Sequence, residues 1–392
     1  METMLQERGF ESGSPADVVI VNTCAVTAEA GRKSRQLIHR LRAENPGALI
    51  AVCGCYSQAQ EAEGDIVYGT NDKKGFVDAI VKGTAARVKD DPFHRHEFEF
   101  LPAGAVDGRT RAMLKIQDGC VNFCSYCIIP YTRGRLRSLP VADAAAETAR
   151  MAEEGFRELV ITGIEIASYG VDLPGKPGLA DVLEACAAAA GNMRLHLGSL
   201  EPRIIDREFC ERISRFPNIC RHFHLALQSG CDETLKAMNR KYDTARFYES
   251  CCLLREYFPG CSITCDMIVG FPGETEENFR ETLAFIRKCS FAQMHIFPYS
   301  RRPGTPADKM PDQLTAKEKS CRASAASQVA GEMRREFLEA QIGRVLPVLM
   351  ESGSQGHTDT YLLVKAEGAQ KNTITDVRIE STDGECLYGT CI

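Results

Sequence analysis

The sequence predicts an α/β protein in three parts: an open α/β domain, a partial (β/α)6 barrel of the TIM type, and a small all-β barrel. Three observations carry this. Short apolar runs bounded by turn formers alternate with segments of helical spacing from Asp17 to Phe297. The stretch from Lys89 to Arg109 mixes Asp, His, Pro and Gly without periodicity, and reads as a linker between two such series. Beyond residue 336 four strand-like runs follow one another between Gly, Ser, Asn and Asp turns. The domains are therefore expected over 1–90, 108–335 and 336–392, with a linker over 91–107.

A chain of 392 residues is long enough for two or three domains with cores of their own. No run of 18 apolar residues occurs, so no membrane span is expected. The formal charge of −6 gives no global sign of a nucleic-acid partner, so any RNA site must be a local patch. There are 18 cysteines, and Met1 to Arg8 lack the charged-then-apolar layout of an export signal. A reducing cytoplasm is expected, where metal binding explains the thiols better than disulfides do.

In the first region, Asp17 to Asn22 and Ala48 to Cys53 read as buried parallel strands. Ala28 to Ala43 is a helix between them, on the spacing of Leu37, Ile38 and Leu41. Cys24 lies just past the first strand and Cys55 just past the second. Ligands of such sheets gather at the carboxyl ends of strands. The pair is either part of a metal site or two unrelated buried cysteines. The helix also carries Arg32, Lys33, Arg35, Arg40 and Arg42 with no acid among them. That is either a solvated face or a phosphate-contact patch.

The middle region alternates steadily. Strands are expected at Ala112 to Ile116, Glu158 to Thr162, Arg194 to Gly198, Phe223 to Leu227, Ser262 to Val269 and Gln293 to Phe297. Helices are expected at Val141 to Glu154, Leu179 to Ala190, Ile204 to Phe216, up to Met238, Thr244 to Tyr257 and Glu276 to Lys288. Chemistry-bearing residues follow the strands: Gly163 and Glu165, Ser199 and Glu201, Gln228 and Ser229, Gly270 to Gly273, and Pro298 to Ser300. All fall at carboxyl ends, where barrels of this kind keep their sites.

The first barrel strand leads into Cys120, Cys124 and Cys127, spaced C-x3-C-x2-C, with Tyr126 before the last. Three thiolates on one loop can hold three irons of a [4Fe–4S] cube, leaving the fourth open to a small molecule. The alternatives are a zinc site and a chance cluster in a cysteine-rich chain. Zinc usually takes a fourth Cys or His, and none occurs in the next dozen residues. In the last region, Arg344, Lys365, Lys371 and Arg378 are outnumbered by acidic residues, which argues against a strong electrostatic role there.

Taken together the chain resembles the radical S-adenosylmethionine (SAM) methylthiotransferases over nearly its whole length. The runs carrying the likeness are Gln117 to Cys120, Cys127 to Gly134, Thr162 to Gly170, Leu197 to Arg203, Leu227 to Glu233 and Phe297 to Arg302. Within that class it most resembles enzymes that convert N6-threonylcarbamoyladenosine, at position 37 beside the tRNA anticodon, to its 2-methylthio form. The resemblance implies a methylthiotransferase N-terminal domain, a radical-SAM barrel and a C-terminal TRAM barrel. It implies a SAM-cleaving [4Fe–4S] cluster on Cys120, Cys124 and Cys127, and an auxiliary [4Fe–4S] cluster with Cys24 and Cys55 among its ligands. SAM contacts are implied at Tyr126, Gly163, Glu165, Ser199, Glu201, Gln228 and Arg240. One SAM would methylate a sulfur at the auxiliary site. A second would yield a 5′-deoxyadenosyl radical that takes hydrogen from C2 of the adenine. Partners implied are tRNA and a low-potential electron donor such as a flavodoxin or ferredoxin.

The sequence departs from the family pattern at Val121, where Asn is usual, and at Leu139, where Arg is usual. The family's first strand, with its Gly-Cys motif, is not present: Met1 to Phe10 resembles the helix that follows it. The N-terminal domain is therefore expected to be truncated, with the third auxiliary ligand upstream of Met1 and only one cluster intact. Cys53 lies back on its strand and is a poor substitute. Alternatives are action on N6-isopentenyladenosine in tRNA or on a ribosomal-protein aspartate, or a non-catalytic iron–sulfur RNA-binding protein.

Overall fold

The computed structural model describes residues 1–25, 27–102 and 110–392. Much of the expected linker, residues 103–107, lies outside the described residues. The chain divides into two compact units. One holds residues 1–106, 118–137 and 300–309; the other holds 107–117, 138–299 and 310–392.

The first unit opens with α1 (Glu2–Gln6), β1 (Val18–Thr23), α2 (Ala28–Glu44), β2 (Leu49–Gly54) and α3 (Cys55–Ala59). It continues with β3 (Ile66–Tyr68), α4 (Lys73–Lys82) and β4 (Ala86–Val88). The strands form one parallel sheet in the order β1-β2-β3-β4. Its two faces bury different sets, as alternation along a strand requires. Val19, Val21, Ile50 and Val52 meet Ile38, Leu37 and Leu41 of α2. Ala51, Cys53 and Ile66 meet Leu5 of α1 and Phe76, Val77 and Ile80 of α4. Thr27 caps α2, its hydroxyl accepting from Ala30 N–H at 3.0 Å.

The basic face of α2 is compensated by acids that lie outside the run of bases. Arg32 and Lys33 pair with Glu29, Arg40 with Glu44, and Arg42 with Asp65. The Arg35 guanidinium lies over the Tyr56 ring at 5.8 Å. No acid lies within the run of bases itself, but Glu29 and Glu44 flank it one turn away, and Asp65 reaches it from beyond β2.

Next along the chain come β5 (Arg111–Asp118), α5 (Ile129–Arg133), β6 (Arg137–Ser138), α6 (Val141–Glu153), β7 (Glu158–Gly163) and α7 (Leu179–Ala189). They are followed by β8 (Arg194–Leu197), α8 (Arg207–Ile213), β9 (His222–Gln228), α9 (Asp232–Ala237) and α10 (Thr244–Tyr257). Then come β10 (Ser262–Val269), α11 (Glu276–Cys289), β11 (Gln293–Pro298) and α12 (Ala316–Glu339). Parallel strands β5, β7 and β8 form one arc and β9, β10 and β11 another. Parallel bridges Leu195↔Ile219 and Leu200↔Leu225 join them, completing the six-stranded partial barrel. The expected helix from Ile204 to Phe216 is shorter. A 3-10 turn at Pro202–Ile204 comes first, and Asp206 starts α8 afresh by accepting from Phe209 N–H at 2.8 Å.

The chain ends in a closed five-stranded barrel: β12 (Val345–Met350), β13 (Gln355–Thr358), β14 (Leu363–Lys365), β15 (Ile374–Thr382) and β16 (Leu387–Cys391), in the order β12-β13-β14-β16-β15. It seats on the amino ends of the large barrel's strands. Arg111, Glu158 and Arg194 stand side by side at the starts of β5, β7 and β8. Glu158 is 1% exposed and accepts from Arg111 Nε and Arg194 Nε, both at 2.5 Å. Burial alone would raise its pKa. The His196 hydrogen bond and the charges of Arg194 and Arg111 overcome that and lower it to about 2. The arginines continue into the small barrel: Arg111 Nη2 lies 2.8 Å from Glu351, and Arg194 Nη2 donates to His357 O at 2.9 Å. Arg221 pairs with Asp359 at 2.6 Å, and Ser262 Oγ donates to Thr360 O at 2.6 Å.

Candidate active site

The three-cysteine loop leaves the carboxyl end of β5. Two glycines let it close. Gly119 has φ +81°, and a Cβ there would stand 1.8 Å from Arg135 O; Gly134 has φ +74°, and a Cβ would stand 1.8 Å from Pro92 O. Between them Cys120 N–H donates to Gly134 O at 3.0 Å and Cys127 N–H to Cys124 O at 2.9 Å. None of the three cysteines is in a disulfide; Cys124 is buried and the others are half-buried. Ile129 N–H donates to Cys127 Sγ at 3.4 Å, a bond that stabilises a thiolate and tunes any cluster it holds. Phe123 rests on Phe93 and Tyr131, with ring centroids 6.4 and 5.8 Å away. Tyr126 is half-buried in the same loop.

Register brings the other two cysteines to one sheet end. Thr23 pairs with Gly54, so Cys24 and Cys55 leave β1 and β2 side by side. Gly54, at φ +111°, is forced: a Cβ would lie 2.3 Å from Thr23 O. Cys24 is exposed and Cys55 buried at the first turn of α3. Arg133 pairs with Asp118 at 3.4 Å, and the Cys55 thiol near it helps to hold its pKa up against burial. Burial pushes the Arg302 pKa down, and the Cys24 and Cys127 thiols around it act the other way. Arginines beside the cysteines suit thiolates and an anionic cluster. Cys53 instead packs in the core with Leu5, Ile66 and Phe76, and burial raises its pKa.

Among the described residues no three His, Cys, Asp or Glu side chains converge tightly enough for a single metal ion. A four-iron cube makes no such demand, because each thiolate binds its own iron. Three cysteines on one loop, with an N–H on one sulfur, fit the cube better than zinc.

In the second unit, Gln117 Oε1 accepts from Ile164 N–H at 3.1 Å and Glu165 N–H at 2.8 Å, fixing the turn after β7. At Gly163 a Cβ would lie 2.7 Å from Ile166 Cγ2 and 2.9 Å from Gln117 O. Burial pushes the Glu165 pKa up to about 7, against the hydrogen bond from Ser168, and the nearby Glu201 adds to the rise. Glu201 is buried and grips Arg203 Nε at 2.7 and 2.8 Å. Arg240 Nη2 donates to Ala226 O at 3.3 Å, over the Tyr242 ring at 4.7 Å. Gln228 ends β9 with φ +66°, and Ser199 follows β8. Glu165, Glu201 and Arg240 thus gather at the carboxyl ends, joined by Arg203, which sequence reading quoted in a motif without assigning it a role.

A partial six-stranded parallel barrel whose first strand feeds a C-x3-C-x2-C loop defines a radical-SAM enzyme. The model of the radical SAM superfamily matches residues 114–286, and that of uncharacterized protein family UPF0004 matches residues 1–71. A threonylcarbamoyladenosine tRNA methylthiotransferase, MtaB, of Bacillus subtilis is 36% identical over 94% of this chain and 86% of its own. A tRNA-2-methylthio-N6-dimethylallyladenosine synthase of Pelotomaculum thermopropionicum is 35% identical over 86% of this chain and 78% of its own. Among solved structures, the radical SAM methyltransferase TsrM of Kitasatospora setae superposes with a TM-score of 0.59. It is 17% identical and covers 78% of this chain and 66% of its own, a likeness of fold. The chain belongs to the radical-SAM methylthiotransferase family. As a member it uses SAM and a [4Fe–4S] cluster. Among the described residues no helix is long and apolar enough to cross a membrane.

Proposed function

We propose that this chain transfers a methylthio group to C2 of N6-threonylcarbamoyladenosine at position 37 of tRNA. The observation that carries the reading is the match, over 94% of the chain, to a relative named for that activity. Cys120, Cys124 and Cys127 would hold the SAM-cleaving cluster, and Cys24 and Cys55 would contribute to the auxiliary one. When bound, these groups supply the electron that splits SAM and the sulfur to be transferred. Arg133 and Arg302 balance the negative charge of the thiolates. Glu165, Glu201, Ser199, Gln228, Arg240, Gly163 and Tyr126 orient SAM, Glu165 in its ionised form meeting the ammonium group. An aromatic C–H has no usable acidity, so the residues' task is placement and exclusion of water rather than proton transfer. The work takes place in the cytoplasm, with electrons from a flavodoxin- or ferredoxin-type donor.

A second reading, action on N6-isopentenyladenosine, has a nearly equal match behind it. Nucleoside analysis of tRNA from a strain lacking the gene separates the two. Loss of 2-methylthio-N6-threonylcarbamoyladenosine alone supports the proposal; loss of the isopentenyl counterpart alone overturns it.

A further inference from the structure

Below the carboxyl ends of its strands, the large barrel holds an open cavity of about 630 Å³ that runs from Ser199 down to Glu351 and Tyr361 of the small barrel. That is within the usual range for small-ligand sites, roughly 300–1,000 Å³. A barrel of this type ordinarily fills its interior with layers of branched apolar side chains. Here three histidines enter the lining beside Met113, Val160 and Leu197. His196 and His222 touch nitrogen to nitrogen at 2.5 Å, and His222 Nε2 lies 2.9 Å from Thr264 Oγ1. His224 Nδ1 shares that hydroxyl at 2.9 Å, and its Nε2 faces Asp266 Oδ2 at 3.4 Å. Asp266 stands beside His295 across β10 and β11, and the His295 ring lies 6.1 Å from that of His224. Of the chain's 8 histidines, His196, His222 and His224 line the cavity, and Asp266 and His295 adjoin His224 on the next two strands, although nothing in the proposed chemistry at C2 requires an imidazole.

We propose that this chamber receives the substituent on N6 of the target adenosine, and that His224, Asp266 and His295 select a threonylcarbamoyl group over a dimethylallyl one. The inference rests on the proposed tRNA reading and deepens it. A threonylcarbamoyl group brings urea N–H donors, a hydroxyl that donates and accepts, and a carboxylate that accepts. Asp266 is the acceptor for the first two and His295 a donor for the last, while His224, held by Thr264, orients Asp266 through Nε2. A five-carbon hydrocarbon branch would strip water from the same three side chains and return no hydrogen bond. Sites built on hydrogen bonds reject analogues that lack them far more strongly than apolar pockets reject an extra polar group.

The test uses two synthetic anticodon stem–loop RNAs, one carrying N6-threonylcarbamoyladenosine and one N6-isopentenyladenosine, with the full reconstituted chain. The quantity read is the ratio of kcat/KM for the two. The native chain should favour the threonylcarbamoyl RNA, and H224L/H295L should lower that preference by roughly tenfold to a hundredfold. H295Q, which keeps a donor, should restore part of it. Both RNAs are read on one preparation, so poor folding lowers both rates and leaves the ratio alone. A native preference that H224L/H295L and D266N leave within twofold overturns the chamber's role while the substrate reading stands. A native preference for the isopentenyl RNA overturns both.

Discussion

Replacing Glu158 with Gln keeps the shape of the side chain and removes the charge on which the seat of the small barrel converges. Arg111 and Arg194 then face each other across a buried amide. The Glu158 pKa falls from 4.5 to about 2 on folding, and each unit corresponds to about 1.4 kcal/mol. The expected loss at pH 7 is therefore about 3 kcal/mol, at the low end of the cost of breaking a buried ion pair, roughly 3–5 kcal/mol. The sign follows from a folded-state pKa that is depressed. The contribution is complete above pH 4.5 and disappears as pH falls toward 2, so at pH 3 less than half of it, about 1.4 kcal/mol, should remain. Urea unfolding of both proteins at pH 7 and pH 3 measures the gap. Hydrogen exchange over β12–β16 should also quicken in the variant, because Arg111 and Arg194 hold Glu351 and His357 of the small barrel. A gap under about 1 kcal/mol at pH 7, or one equally wide at pH 3, would refute the assignment of Glu158 as the keystone of this contact.

Cys124→Ala leaves two thiolates on the loop and should abolish 5′-deoxyadenosine formation; a wild-type yield by chromatography would show the cluster is held elsewhere. Glu165, raised to about 7 by burial, should make SAM binding strengthen as pH rises through 7, and Glu165→Gln should flatten that profile in calorimetric titrations; superimposable profiles would remove Glu165 from the SAM site. Changing Arg32, Lys33 and Arg35 together to Gln should lower the log–log salt slope of tRNA binding by no more than one contact, about 0.7–0.9. Arg32 and Lys33 are already paired with Glu29, so a fall of two or three contacts would mean those pairs open on RNA.

The large barrel was legible because each of its strands is a short apolar run with a turn former behind it, and Ser262–Val269 is observed at its expected bounds. β13 was not, because Gln355-Gly-His-Thr358 has no apolar alternation and is held by pairing to β12 and β14. Nor was α12. Its apolar positions are small, Ala326 and Ala330 among them, so its buried stripe is weak in sequence. The cysteine loop declared itself through spacing alone. The pairing of Glu158 with two arginines 47 and 36 residues away did not, since such contacts depend on strand register. The same holds for Asp65 against Arg42, and for the histidines in the barrel interior. His196, His222, His224 and His295 are scattered letters in three apolar runs until the strands are set side by side.

The most direct measurement is anaerobic reaction of the reconstituted chain with SAM, a low-potential reductant and a stem–loop RNA carrying N6-threonylcarbamoyladenosine, followed by mass spectrometry of the digested nucleosides. A methylthio group in place of the C2 hydrogen, with 5′-deoxyadenosine formed alongside it, is the result this account predicts. Unchanged RNA in a reaction that still cleaves SAM would contradict it.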